Sequence, residues 1–279
     1  MGRNKLVMPF VKWAGGKRQL LGALEELFPA GGIREYCEPF LGGGAVLFHL
    51  QPDRAYVNDI NSELVNVYRV VRDSVDELIR ELAGFENTPE VFYEVRSWDR
   101  DNFTYSSRTN VQKAARIIFL NKTCFNGLYR VNNAGEFNSP FGYYKNPNII
   151  NEPVLRAVSY YLNHADVHLS SDDYAEVLGR VGRNTFVYLD PPYDPVSDSA
   201  SFTGYSRGGF SRNEQIRLRE CCDDLSRRGI RFMLSNSATD FIIEQYAEYN
   251  ITVVKAKREV NSVGYKRGEV EEVVIRNYE

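Results

Sequence analysis

The stretch Arg34-Glu-Tyr-Cys-Glu-Pro-Phe-Leu-Gly-Gly-Gly-Ala-Val-Leu-Phe-His-Leu50 runs from a β-patterned segment through a glycine turn into a helix-forming one. Arg34–Cys37 reads as a short strand, Gly42–Gly44 as the turn, and AVLFHL (45–50) as a helix. The unit repeats at once, with Ala55–Asn58 as a second strand and 62–72, SELVNVYRVVR, as a second helix. Strands and helices in alternation imply a parallel sheet covered by helices. Upstream, residues 18–28 (RQLLGALEELF) carry helical periodicity.

The rhythm breaks between about residues 75 and 150. Helical patterns at 75–84, 89–97 and 110–121 precede 124–148, which is rich in Asn, Gly and aromatics and contains Pro140 and Pro147. Alternation then resumes: strand 166–170, helix 174–179, strand 185–190, helix 212–227, strand 230–235, helix 239–247 and strand 250–255. Ser211-x-x-Glu214 is a capping-box pattern at a helix start. The closing strands, 250–257 and 270–278, have no helix between them and are expected to pair antiparallel. An insert within one α/β domain fits this order better than two consecutive domains, and no internal repeat is visible.

The chain of 279 residues is 43% hydrophobic and 25% charged, a globular balance that excludes collagen-like and wholly disordered classes. No apolar run approaches the roughly 18 residues needed to span a bilayer. MGRNKLVMPFVKW at the N-terminus lacks a secretory apolar core, so a cytoplasmic protein is expected. Cys37, Cys124, Cys221 and Cys222 have no CxxC spacing and are expected to be free thiols. His49, His164 and His168 do not group with cysteines or carboxylates, so no metal site is expected. A net charge of −3 argues against a polyanionic partner. Yet residues 96–145 hold eight Lys/Arg against three acids. That surplus suits either a polyanion-binding insert or a solvated helical face.

Glu38-Pro-Phe-Leu-Gly-Gly-Gly-Ala-Val46 lies where the first strand ends and a helix begins, a place where glycines allow a nucleoside to approach. Leu47 breaks the dinucleotide pattern GxGxxG, and Gly16-Lys17 is followed by Arg18, which breaks the phosphate-loop pattern. Asp59, at the end of the second strand, is placed either to accept both hydroxyls of a ribose or to cap the following helix. Asp190-Pro-Pro-Tyr193 follows the strand TFVYL at the carboxyl edge of the sheet. Two prolines remove two N–H donors and leave carbonyls as acceptors. An amino group on an aromatic ring becomes nucleophilic when two acceptors hold its hydrogens; Asp190 and the Pro191 carbonyl are placed either to be those acceptors, with Tyr193 stacking on the ring, or only to form a rigid turn at a strand end. Phe125-Asn-Gly-Leu-Tyr-Arg130 to Pro140-Phe-Gly-Tyr-Tyr-Lys145 reads as a hairpin that either enters a duplex and reads bases through Arg130 or packs on its own core. Residues 194–210 are long for a structureless connection and are expected to cover the site. Glu259–Glu269, with Lys266 and Arg267, is either a second DNA-facing loop or a hairpin tip.

Eight motifs stand in one order: Lys12-Trp-Ala-Gly-Gly-Lys17, Glu38–Gly44, Asn58-Asp59, Phe125–Arg130, Glu136-Phe-Asn-Ser-Pro-Phe-Gly142, Asp173-Tyr174, Asp190–Tyr193 and Ser235-Asn236. Over nearly the whole chain this order resembles the Dam-type DNA adenine methyltransferases, the alpha group of amino-methyltransferases. The resemblance implies an α/β, Rossmann-like, S-adenosylmethionine-dependent methyltransferase sheet (1–62 and 152–279). It also implies an inserted, mainly helical target-recognition domain with a β-hairpin (63–151). S-adenosylmethionine is then the methyl donor, without a metal. Trp13, Lys17, Asp59 and Asp190 match cofactor-binding positions, while Glu38, Phe40, Asp173 and Tyr174 would line its methionine and adenine ends. Catalysis would fall to Asp190, Pro191, Pro192 and Tyr193, acting on N6 of an adenine flipped out of double-stranded DNA. Leu128, Arg130 and Pro140 match positions that read GATC in the closest branch; Phe125 and Asn126 would enter the opened duplex, and Lys12 would assist. The chain is expected to act as a monomer. Two rival readings are a silent DNA-binding relative, against which Asp190 and Tyr193 stand intact, and an enzyme acting on a protein glutamine, which has no need of a basic insert.

Overall fold

A computed structural model describes residues 3–13, 15–196, 210–257 and 269–279. The expected covering loop 194–210 and the loop Glu259–Glu269 lie almost wholly outside the described residues.

Seven strands form one sheet in the order β3-β2-β1-β4-β5-β7-β6. They are β1 (Glu35–Glu38), β2 (Arg54–Asn58), β3 (Asp166–Ser170), β4 (Thr185–Leu189), β5 (Arg231–Ser237), β6 (Asn250–Lys257) and β7 (Glu269–Arg276). The first five are parallel, and β7 runs antiparallel between β5 and β6. The helices are α1 (Leu21–Glu25), α2 (Ala45–Leu50), α3 (Ser62–Asp73), α4 (Val75–Ala83), α5 (Pro89–Ser97), α6 (Asn102–Ser107), α7 (Asn110–Thr123), α8 (Glu152–His164), α9 (Tyr174–Arg180), α10 (Arg212–Arg227) and α11 (Asp240–Gln245). No helix among the described residues is long and apolar enough to cross a membrane.

Because successive side chains of a strand point to opposite faces, each strand feeds two cores. Tyr36, Phe186, Tyr188 and Met233 face a core shared with α2, α3, α7 and α8, whereas Cys37, Val187, Leu189, Phe232 and Leu234 face one shared with α9, α10 and α11. β4 is buried along its whole length, as a central parallel strand requires. The first core continues without a break into the helical segment, through Phe92, Phe119 and Phe137.

Most elements lie where periodicity places them, and five features differ. Helix 18–28 shrinks to a 3-10 turn (Lys17–Gln19) and five-residue α1, with Leu20 offering no side-chain cap. Helices α6 and α8 were not read; α8 shows its apolar stripe as Val154, Leu155, Val158, Tyr161 and Leu162. The capping box is half formed: Ser211 accepts from the Glu214 N–H, while the Glu214 carboxylate is taken by Tyr174 and Arg217. The expected β-hairpin forms no regular strands, only the isolated bridges Cys124↔Phe141 and Val131↔Phe137. Backbone bonds flank the bridges, from the Asn132 N–H to the Glu136 carbonyl, Asn138 to Arg130, Phe125 to Pro140 and Gly142 to Thr123. Side chains take further groups: Asn132 Oδ1 accepts from the Ala134 and Glu136 N–H groups, Ser139 donates to the Leu128 carbonyl, and Arg100 donates to the Phe137 carbonyl.

The basic surplus of residues 96–145 is largely spent inside the fold. Arg116, 2% exposed, donates to the carbonyls of Val95 and Arg96 and pairs with Asp99 at 2.6 Å. Arg100 pairs with Asp99 and Glu136, Arg96 donates to the Ser139 carbonyl, and Arg108 lies 3.4 Å over the Trp98 ring. Asp99 also accepts from the Phe137 N–H, so one buried ion pair ties α5 and α7 to the bridged loop. Removing one partner of such a pair strands the other charge. Arg116→Met is therefore expected to cost about 3–5 kcal/mol of stability, read as a lower urea midpoint. A midpoint equal to that of the unaltered protein would show that the pair contributes nothing.

Candidate active site

β1 has β2 on one side and β4 on the other, so connections leave this pair in opposite directions. Ligands of open α/β sheets bind at such a divergence, outside the carboxyl ends of the strands. Glu38 ends β1 and Asp190 follows β4, which brings them to the same crevice. Lys17, delivered by the 3-10 turn and 4% exposed, sets its Nζ 2.7 Å from Asp190 Oδ1. It also donates to the Gly15 carbonyl at 2.6 Å and stands 4.7 Å over the Tyr193 ring. Burial pushes the Asp190 carboxyl up to about 6, with Lys17 opposing the rise and Glu272 adding to it. Glu38, fully enclosed, accepts from the Tyr36 hydroxyl at 2.8 Å, and burial lifts its carboxyl well above the usual range.

The turn after β4 is braced from three elements. Gln215 on α10 donates to the Pro192 carbonyl at 2.9 Å and accepts from Asn236 on β5. Asn236 accepts from the Asp194 N–H at 3.0 Å, and Ser237 donates to the Asp194 carbonyl. The Asp194 side chain is held by Arg212 and Thr239. The Tyr193 hydroxyl donates to Glu272 on β7 at 2.7 Å. Among the described residues nothing donates to the Pro191 carbonyl. The result is a rigid strand end carrying one carboxylate, one open carbonyl and one aromatic ring.

Across the crevice, Gly42 has φ +49, and a Cβ there would meet Trp13 Cδ1 at 2.8 Å; Trp13 thus packs against the turn because glycine lets it. Asp59 accepts from the Gly42 and Asn61 N–H groups, both at 2.9 Å. The helix cap is Asn61, which accepts from Leu64, so Asp59 links the glycine turn to the cap without being it. Phe40, Tyr174 and Phe210 form an aromatic group with centroids 5.2–5.9 Å apart. Asp173 is committed elsewhere: it caps α9 through Ala175 and takes both donors of Arg217, which hold its carboxyl below the usual range.

A second group of expected residues gathers beside this crevice. The Phe125 N–H donates to the Pro140 carbonyl and the Asn138 N–H to the Arg130 carbonyl, while the Asn138 side chain holds Arg130 Nε at 2.7 Å. Phe125 is 56% exposed, and Asn126 adopts a left-handed φ of 58. Lys12 joins them through Asn121, which accepts from the Lys12 N–H at 2.8 Å and donates to the carbonyls of Lys12 and Gly127. Trp13 stacks on Tyr129 at 4.8 Å. Lys122 lies partly buried near Lys12 and Arg18, and burial with that repulsion lowers its ammonium to about 8.

Asn121, Gln215 and Glu272 were missed in the sequence, and Asn236 stood there only as half of the motif Ser235-Asn236, with no role attached. Asn121 leaves a trace in the sequence, a polar residue closing the apolar run IIFL on α7; Glu272 leaves none in the alternation of β7.

A family profile described as the D12 class of N6 adenine-specific DNA methyltransferases matches residues 13–260. The chain is 40% identical over 279 residues to the Type II methyltransferase M1.LlaDCHI of Lactococcus lactis subsp. cremoris, covering 99% of this chain and 98% of that one. It is 43% identical over 291 residues to the Type II methyltransferase M.MjaIII of Methanocaldococcus jannaschii, covering 98% and 99% respectively. A DNA adenine methylase of Escherichia coli (strain K12) is 35% identical over 269 residues, covering 95% and 93%.

Asp190 is expected to titrate near pH 6, half protonated there and ionised above. Lys17 favours the ionised form, so Lys17→Met should move the midpoint higher. Carboxyl-carbon NMR of aspartate-labelled protein reads it directly, and a midpoint that stayed or fell would contradict the electrostatic account.

Proposed function

The chain belongs to the D12 class of N6 adenine-specific DNA methyltransferases, and from that premise we propose that Asp190–Tyr193 is where the methyl group reaches N6 of an adenine turned out of the duplex. The observation that carries this reading is the pair of acceptors at the end of β4. The lone pair of an exocyclic amine is drawn into the ring. Acceptors on both of its hydrogens favour a tetrahedral nitrogen whose lone pair is available, and Asp190 with the Pro191 carbonyl supplies them. Pro191 and Pro192 fix the turn, and Tyr193 gives the base a stacking face. Turning the adenine out costs a few kcal/mol, and holding it in line with the donor recovers far more in rate.

The family implies S-adenosylmethionine as methyl donor. When bound, that group supplies an electrophilic methyl on a positively charged sulfur. The residues present fit it. Asp59 has one N–H on each oxygen and keeps lone pairs for ribose hydroxyls. Phe40 and Tyr174 offer apolar faces, and Trp13 closes the glycine turn. The crevice sets Asp190 and Glu38 beside Lys17, surroundings that favour a cationic centre over phosphates. Asp173 contributes by fixing the start of α9, since Arg217 occupies its carboxylate.

Target recognition is assigned to residues 63–151. Phe125 and Asn126 enter the space the adenine leaves. Arg130, held by Asn138, reads a guanine edge, with Leu128 and Pro140 beside it, which supports GATC as the site. Lys12 and Lys122 lie where a phosphate would relieve their mutual repulsion. The chain acts as a monomer in this reading.

Labelled methyl groups are expected on a short duplex carrying one GATC, and absent from the same duplex methylated on both strands or scrambled at the site. Label on the scrambled duplex would remove GATC and leave the enzyme. Asp190→Ala should lose about a thousandfold or more in rate; retention of most activity would refute the proposed chemistry. The ionised carboxylate is the stronger acceptor and carries no proton directed at the amine, so the rate should fall as pH drops below about 6. Arg130→Ala should relax base preference about 10- to 100-fold, the worth of one bidentate contact, measured against single-base variants of the site.

A further inference from the structure

Glu272 belongs to none of the roles assigned above. It lies on β7 opposite Ser237, on the strand that closes the sheet beside β5, and its Oε2 accepts from the Tyr193 hydroxyl at 2.7 Å. We propose that Glu272 is a positioning residue of the methyl-transfer site, holding the Tyr193 hydroxyl and with it the ring on which the target base stacks. The inference rests on reading Asp190–Tyr193 as that site.

Three observations support it. The rest of the turn is anchored independently, through Pro192, Asp194 and their partners on α10 and β5, and the ring of Tyr193 is what those bonds leave undetermined. Glu272 also carries an electrostatic cost. It is half-buried, it has no cationic partner among the described residues, and it faces Asp190, whose own cation Lys17 is already engaged. A fold selected for stability alone gains nothing from a second carboxylate there. Lastly, a carboxylate only accepts, so the tyrosine hydroxyl is fixed as donor in a single direction; an amide offers donor and acceptor alike. The charged acceptor also makes the bond shorter and stronger than a neutral one.

Methyl transfer to the GATC duplex by single variants and their combination separates this role from a scaffold role. Glu272→Ala should lower kcat about 10- to 100-fold, the scale of a displaced reacting group, with KM for S-adenosylmethionine within about threefold. Tyr193→Phe, which keeps the ring and removes the hydroxyl, should lower kcat to a similar degree. Because both act through one bond, the double variant should be no slower than the slower single, whereas independent roles would multiply. Glu272→Gln should restore most of the activity lost in Glu272→Ala and move the acid limb of the pH–rate profile to lower pH. One carboxylate facing Asp190 is then gone, while Lys17, Glu38, Tyr188 and Tyr193 still face it. Should Glu272→Ala not fold, Glu272→Gln in the Tyr193→Phe background completes the comparison and should have no further effect on kcat. Multiplying losses, or an alanine variant as fast as the unaltered enzyme, overturns the inference. An Asp190→Ala enzyme that still methylates overturns the site itself, whatever Glu272 does.

Discussion

Strands β1 and β4 lie side by side although about half the chain separates them; Thr185 Oγ1 donates to Glu35 across 150 positions of sequence. Their pairing is the constraint from which the site follows. It sets Glu38 and Asp190 at adjoining strand ends, opens the crevice between the connections that leave them, and gives the 3-10 turn at Lys17 a place to insert an ammonium group among carboxylates. Each neighbour then has a determined position. The glycine turn after β1 can receive Trp13 because its glycines lack side chains, and the turn after β4 can be gripped by α10 and β5 because those elements reach the same edge.

How far these arrangements were legible depends on whether their cause is local. The alternation of strand and helix is written in short-range periodicity, and so are the glycine turn and the proline-stiffened strand end. Asp59 shows the limit. Its place at the end of β2 was readable, but its bonding to Gly42 and Asn61 depends on β1 and β2 being neighbours. Asn121, Gln215 and Glu272 mark the same limit more sharply, since each is an ordinary polar residue until a partner distant in sequence arrives. The hairpin is reduced to two antiparallel bridges for a related reason. Alternating aromatics suggested strands, but Asn132, Ser139 and Arg100 take neighbouring backbone groups that a longer ladder would use.

Charge was the least reliable guide. A surplus of basic residues in the insert invited a polyanion, yet Arg96, Arg100, Arg108 and Arg116 are occupied with carbonyls, carboxylates and rings inside the fold. What remains for an external anion is smaller, and it includes Lys122 close to Lys12, whose backbone Asn121 holds beside the crevice. Composition counts charges without asking which are already neutralised; burial and pairing answer that.

The place of β7 between β5 and β6 also bears on how the protein comes into being. A ribosome makes Lys17, Glu38 and Asp190 first, and Glu272 only after β6 has been synthesised. Until β7 emerges, β5 presents an open edge and β6 has no strand to join, since each pairs with β7 and not with the other. Open edges of half-made sheets invite association between nascent chains. β7 therefore covers the edge of β5, gives β6 its partner and delivers the carboxylate beside Tyr193 in one event, so the growing chain acquires the seven-stranded order and that bond together.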